Sequence, residues 1–213
     1  MAGLNRSVSL LLKRGEHPKR EELVDFLKTV TGTSKKLELH EIDSDSLRSP
    51  ISFFLATENK NTGIAFSGIP SGHEFTSLIL AILQAGGGDL KLDQTTVESI
   101  TKISESLKFE IFVSLDCHNC PDVVQSVNKL SLLNPNISSE MIDGGLFQEL
   151  VKQKDIQGVP VVFLNGEFFS SGRVNMAKIL SNLSPFMMPA SKTENRAQVF
   201  DIAVIGGGPA GIS

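Results

Sequence analysis

Leu107-Lys-Phe-Glu-Ile-Phe-Val-Ser-Leu-Asp-Cys-His-Asn-Cys-Pro-Asp-Val-Val124 changes periodicity halfway along. Residues 107–114 are rich in β-branched and aromatic side chains, which predicts a strand. From Cys120 onward, Val123, Val124, Val127 and Leu130 recur at helical spacing and form one apolar face. Cys117-His-Asn-Cys120 therefore sits at a strand-to-helix junction, with Cys117 near the helix N-cap. Pro121 falls in the first turn, where a missing N–H costs nothing.

That position gives the cysteine pair its chemistry. A helix N-terminus carries unpaired N–H groups and partial positive charge, which stabilise a thiolate. Two-residue spacing across one turn lets the sulfurs meet as a disulfide. Cys117 is expected to be exposed and to attack; Cys120, one turn inward, is expected to resolve the mixed disulfide by thiol–disulfide exchange. A buried structural pair or half of a metal site is the bland alternative. The chain has two cysteines and four histidines, too few and too scattered for a four-ligand zinc site, so no metal is expected. His118, when protonated, would place positive charge beside the thiolate; it reads equally well as a solvated loop residue.

Downstream, residues 137–142 read as a strand and 144–153 as a helix. Val161 to Leu164 is a strand, Asn165-Gly166 a hairpin turn and Glu167 to Ser170 its return. A last helix is expected from Val174 to Leu183. The order is βαβαββα. Val159-Pro160 opens a strand some 40 residues after the cysteines, where thioredoxin-like folds place a cis-proline against the disulfide.

Upstream, a shortened version of that order is predicted: strand Ser7–Leu12, helix Glu21–Val30, strands Leu37–Ile42, Ile51–Ala56 and Thr62–Phe66, then helix Phe75–Ala85. Pro50-Ile-Ser-Phe-Phe-Leu55 parallels Pro160-Val-Val-Phe-Leu164, and Phe66-Ser-Gly68 parallels Phe169-Ser-Ser-Gly172. An internal duplication follows, its first copy carrying Arg14-Gly-Glu-His-Pro18 where the second carries cysteines; two unrelated α/β units are the alternative. Gly86-Gly-Gly88 stops the first unit, and a linking helix is expected over Thr95–Leu107. The helix Phe75–Ala85 is apolar on nearly every side, which predicts burial between the units.

Composition excludes other classes. Of 213 residues, 20 are basic and 24 acidic, a net charge of −4 that disfavours nucleic acid or an anionic membrane surface. All aromatics are phenylalanine, 13 of them, so base-stacking platforms are scarce. No apolar run approaches the ~20 residues of a membrane span. Val8 to Leu12 is followed, not preceded, by Lys13 and Arg14, so no secretion signal is read and a cytoplasmic location is expected.

The segments Leu115–Val124, Ile142-Asp-Gly-Gly145, Gly158–Gly166 and Ser71-Gly-His-Glu-Phe-Thr-Ser-Leu78 resemble the N-terminal domain of the alkyl hydroperoxide reductase flavoprotein, the F component of that peroxiredoxin reductase system. The resemblance implies two tandem thioredoxin-like (glutaredoxin-like) units of the α/β class, with central mixed sheets flanked by helices. Only the second unit would be redox-active. It would relay electrons from a flavoprotein body of the same chain to a two-cysteine peroxiredoxin, a partner like the C component of alkyl hydroperoxide reductase. Family members usually carry a helix before the first strand; here about six residues precede it.

The resemblance also gives Glu74 a role. Ser71-x-x-Glu74 reads as a capping box, a sufficient structural reason for both residues. The family would also put Glu74 close to the disulfide, moving protons for it. Thioredoxin itself has a buried acid six residues before its first cysteine; here that position is Ile111.

Gly206-x-Gly208-x-x-Gly211 follows a predicted strand, Phe200 to Ile205, and reads as a dinucleotide-binding fingerprint. The sequence stops at Ser213, before the rest of such a domain. Expected domains are 1–90, a unit without cysteines; 91–186, the redox unit; 187–198, a linker; and 199–213, the start of an FAD-binding domain. FAD and NADH belong to the full-length protein, and no cofactor is expected on these residues. The catalytic set is Cys117, Cys120, Glu74, His118 and Pro160. A free-standing protein disulfide oxidoreductase and a metal-binding or scaffold module are the alternative functions.

Overall fold

The structure, a computed structural model, describes residues 3–58 and 60–187. The chain runs β1 (Val8–Lys13), α1 (Arg20–Thr31), β2 (Leu37–Ile42), β3 (Ser52–Thr57), β4 (Lys60–Ser67), a 3-10 turn (Gly72–Glu74), α2 (Phe75–Ala85) and α3 (Gln94–Thr101). It continues through β5 (Leu107–Val113), α4 (Cys120–Leu133), β6 (Ile137–Asp143), α5 (Gln148–Gln153), β7 (Val161–Leu164), β8 (Glu167–Ser171) and α6 (Met176–Met187).

The strands form one mixed sheet in the order β2-β1-β3-β4-β6-β5-β7-β8. Each half has the same plan: β1 pairs parallel with β2 and antiparallel with β3, as β5 does with β6 and β7. The two halves of this sheet, expected as separate sheets, are joined by parallel pairing of β4 with β6, from Ile64 against Ser139 to Ser67 against Ile142. This pairing satisfies two edges that would otherwise be open.

One hydrophobic core runs under both halves. Alternation along the strands sends Val8, Leu10 and Leu12 of β1, and Phe109, Ile111 and Val113 of β5, to the same face. Leu23 and Leu27 of α1, Leu78 and Ile82 of α2, and Val123, Val124 and Val127 of α4 cover that face. α2 packs on α4, so the apolar helix of the first half is buried against the redox helix of the second, as its composition predicts. On the opposite face Phe112, Ile142, Val161 and Phe163 form a smaller core under Leu150 and Val151 of α5.

Several helix boundaries differ from the sequence expectation, α6 for instance running on to Met187 instead of ending at Leu183, and three of the differences have a side-chain cause. The linking helix ends at Thr101, not Leu107: the Asn134 amide donates to the carbonyls of Ile100 and Ile103, both at 2.8 Å, and ends the helix there. The helix expected from residue 144 begins at Gln148, because Asp143 holds a turn, its carboxylate accepting from the Gly145 N–H at 2.9 Å. α6 starts at Met176, where the Asn175 side chain accepts from the Lys178 N–H at 2.9 Å.

An ionic network fastens the halves. Arg48, between β2 and β3, donates to Glu140 of β6 at 2.9 and 2.7 Å and also to Glu110 of β5. Lys154 lies 3.2 Å from Glu110, and the Ser67 hydroxyl donates to Glu140. Burial alone would raise the Glu110 pKa, but Arg48 and Lys154 outweigh it and hold the carboxyl below its ordinary 4.5. Arg48→Ala is expected to cost about 1–3 kcal/mol at pH 7, because it leaves two half-buried carboxylates short of a partner. Glu110's share is present above its ordinary pKa and is lost as pH falls through its lowered one. Urea unfolding at pH 7 and pH 3 checks this; a gap between parent and variant independent of pH would refute it.

No helix of the described residues is long and apolar enough to cross a membrane. Met187, the first residue of the expected linker, ends α6; the rest of the linker, Phe200–Ile205 and the Gly206, Gly208, Gly211 fingerprint lie outside the described residues.

Candidate functional site

β5 ends at Val113 and α4 begins at Cys120, so residues 114–119 form the loop that carries the cysteines. Cys117 and Cys120 are joined as a disulfide. Cys117 is half-buried and Cys120 is fully buried. The N-cap position itself belongs to Asn119, whose side chain makes no capping hydrogen bond. The sulfur of Cys117 takes that place, accepting from the Cys120 N–H at 3.1 Å. A thiolate at Cys117 would thus receive a backbone N–H at a helix start.

The Val159–Pro160 bond is cis. Pro160 is buried, and the Val159 carbonyl oxygen lies 3.9 Å from the Cys117 sulfur. The Pro160 carbonyl is occupied by the Gly172 N–H at 2.8 Å, which ties this loop to the end of β8.

The third wall comes from the half without cysteines. Gly72 has φ +54°, and a Cβ there would lie 2.6 Å from the Leu115 carbonyl oxygen. Only glycine allows this approach without displacing backbone. The next N–H, of His73, donates to that carbonyl at 3.0 Å. The rings of His73 and His118 then lie 4.1 Å apart between centroids. His118 and His73 are both exposed, so neither is a satisfied core histidine.

The capping box expected of Ser71 and Glu74 is not formed. The 3-10 turn precedes α2, and neither Ser71 nor Glu74 makes a side-chain capping bond. The turn, closed by the Glu74 N–H to the Ser71 carbonyl at 3.1 Å, directs the Glu74 carboxyl inward. That carboxyl is completely buried, and neither oxygen has a hydrogen-bond partner. Burial raises its pKa from 4.5 to about 7; the nearby Ser77 hydroxyl pulls the other way, though it stands outside hydrogen-bonding geometry with either oxygen. The 3-10 turn packs against α4, the helix that Cys120 begins. Ile111 is buried and apolar, and its neighbour Glu110 is held by Arg48.

In the first half the corresponding loop, Arg14-Gly-Glu-His-Pro18, joins β1 to α1. Arg20 opens α1 as Cys120 opens α4. Its guanidinium donates to the carbonyls of Lys13 and Pro50, both at 2.7 Å, and to Glu41 at 2.9 Å. A charge network occupies the place of the redox pair. Among the described residues no group of three or more His, Cys, Asp or Glu is placed to hold a metal.

Residues 107–184 match a family model described as a thioredoxin domain. The crystal structure of the NTD_N/C domain of alkylhydroperoxide reductase AhpF from Enterococcus faecalis superposes with a TM-score of 0.80 at 36% identity, covering 86% of this chain and 93% of that one. This chain belongs to the AhpF family of alkyl hydroperoxide reductase. The AhpF protein of Staphylococcus aureus (strain NCTC 8325 / PS 47) is 44% identical over 204 residues, 96% of this chain and 39% of that protein. A protein named NADH dehydrogenase from Bacillus subtilis (strain 168) is 40% identical over 210 residues, 99% of this chain and 40% of that protein. The chain thus spans about 40% of the length of these relatives. Family, fold and the Cys117–Cys120 disulfide together make it a thiol–disulfide relay domain.

Sequence reading does not single out His73, Gly72 or Arg20. His73 and Gly72 stand inside Ser71-Gly-His-Glu74, where only Glu74 has a pattern of its own. Their role depends on the two halves meeting, which no local pattern encodes.

Proposed function

We propose that this domain carries an electron pair from the flavoprotein body of its own chain to a two-cysteine peroxiredoxin, and so serves the reduction of hydroperoxides. The observation that carries this reading is the half-buried Cys117 sulfur, which accepts the Cys120 N–H and lies beside the cis Val159–Pro160 bond. In the reduced state the Cys117 thiolate attacks the partner's disulfide, forming one S–S bond and releasing one partner thiolate. The Cys120 thiolate then attacks the Cys117 sulfur. This closes Cys117–Cys120 and releases the second partner thiolate, so two electrons leave the domain. The released thiolates take up two protons. In this reading Glu74, titrating near neutral pH, takes or gives one of them, and His118 supplies positive charge beside Cys117 when protonated. The cis Val159–Pro160 loop lies against the disulfide, and in this reading it offers backbone pairing to the partner chain.

In the whole protein, bound FAD and NADH would supply the electron pair that regenerates the dithiol. Gly206, Gly208 and Gly211 would let the flavin's pyrophosphate approach the backbone. Residues 1–90 and 91–186 act as scaffold and redox units, 187–198 as linker, and 199–213 as the beginning of the FAD-binding domain. A lone cysteine pair of this kind is characteristic of catalytic thiols in a reducing cytoplasm.

The chain, reduced and freed of reductant, is expected to reduce roughly one disulfide of an oxidised two-cysteine peroxiredoxin per molecule. Thiol counts on both separated proteins read this out. A peroxiredoxin left oxidised by fully reduced chain would overturn the proposal.

A further inference from the structure

The two histidines in ring contact belong to different halves of the chain, and the relay uses only one of them. We propose that His73 is a positioning residue for the thiol chemistry: its ring packs on the His118 imidazole and holds it beside Cys117. This rests on the relay reading above and assigns the cysteine-less half a part in it.

Three observations converge. The rings lie 4.1 Å apart, tilted by 45°, which is contact distance. The backbone beneath them is fixed, because the His73 N–H donates to the Leu115 carbonyl two residues before Cys117. Gly72, at φ +54°, lets that segment come within a distance that a Cβ would forbid. A histidine on an exposed loop would otherwise sample several rotamers, and its charge would be spread over them. A ring packed on one side removes that freedom. The imidazolium then stays where it favours a thiolate one residue away.

Other charged groups on the elements that meet here are Asp116 on the cysteine loop, Glu74 on the same turn as His73, and the Asp122–Arg173 ion pair at the start of α4, 3.2 Å apart. Asp116 and Glu74 oppose a thiolate when ionised, which makes the placement of the His118 imidazolium matter more.

The test is the rate of Cys117 alkylation by iodoacetamide as a function of pH, on reduced chain carrying Cys120→Ser so that one sulfur reports. His73→Ala is expected to slow alkylation at pH 6 roughly three- to tenfold, as His118→Ala does. The double variant should be no slower than either single one, since both remove the same interaction. His73→Phe, which keeps a stacking ring without a charge, should restore most of the rate. Circular dichroism and urea midpoints establish that each variant is folded; if His73→Ala fails to fold, His73→Gln takes its place. A folded His73 variant with the parent's profile overturns the proposal. So do fully additive single effects, or a His73→Phe variant as slow as His73→Ala. No peroxiredoxin enters the assay, so a failed relay leaves these readings standing, and a flat His73 profile leaves the relay intact.

Discussion

Cys117→Ser is expected to abolish electron transfer to the peroxiredoxin, by on the order of a thousandfold or more, because a serine hydroxyl neither ionises near neutral pH nor forms a disulfide. The loss should be chemical, not structural. The hydroxyl oxygen that this variant carries can still accept the Cys120 N–H, which the Cys117 sulfur accepts at 3.1 Å in the parent. Both single cysteine variants forgo a cross-link closing a very short loop, about 2 kcal/mol relative to the oxidised parent. Relative to the reduced parent they should lose almost nothing, which makes the reduced protein the proper reference. Cys120→Ser should behave differently. Cys117 is accessible and can attack, but the buried partner that would resolve the mixed disulfide is gone, so the adduct should accumulate. Intact-mass measurement after mixing with oxidised peroxiredoxin distinguishes the two: no adduct for the first variant, a one-to-one adduct for the second. Alkylation confined to Cys120 at neutral pH in the reduced parent would reverse the roles.

The redox half was legible because its signals are local. Strand composition, the period of Val123, Val124 and Val127, and the Asn165-Gly166 turn, with φ of +52° and +90°, each state their own structure. The cis-proline was also legible, since its position relative to the cysteines is a property of one half alone. What the sequence concealed is how the halves meet. Parallel pairing of β4 with β6, Arg48 reaching Glu110 and Glu140, and Gly72 against Leu115 all join residues more than 40 positions apart. Helix ends failed for a related reason. α3 stops where Asn134, 34 residues from Ile100, caps its carbonyls, while the apolar spacing through Ile103 and Leu107 continues past the stop. Ser71-x-x-Glu74 fitted a capping box in sequence, but the 3-10 turn at Gly72 turned the carboxyl inward and left the cap unmade.

That buried carboxyl carries the second large effect. Glu74 has no exposed surface and no hydrogen-bond partner, and burial lifts its pKa from 4.5 to about 7. Below pH 4.5 it is neutral in both the folded and the unfolded chain and costs nothing. Between 4.5 and 7 the unfolded chain releases the proton while the folded chain keeps it, so stability falls as pH rises. Above pH 7 the loss levels off at about 3 kcal/mol. Glu74→Gln removes the titration. The variant should match the parent near pH 4.5 and exceed it by about 3 kcal/mol at pH 8, read from urea midpoints at the two values. The same substitution tests the proton role. An ionised Glu74 near the start of α4 opposes a thiolate, so Gln there should shift the onset of thiolate absorbance in the reduced protein to lower pH. A residue kept only to cap a helix predicts neither result: Gln can cap, so the stability change would be a few tenths of a kcal/mol at every pH and the thiolate curves would coincide. A parent whose stability is flat between pH 4.5 and 8 would show that the carboxyl is solvated, and would remove it from the proton path.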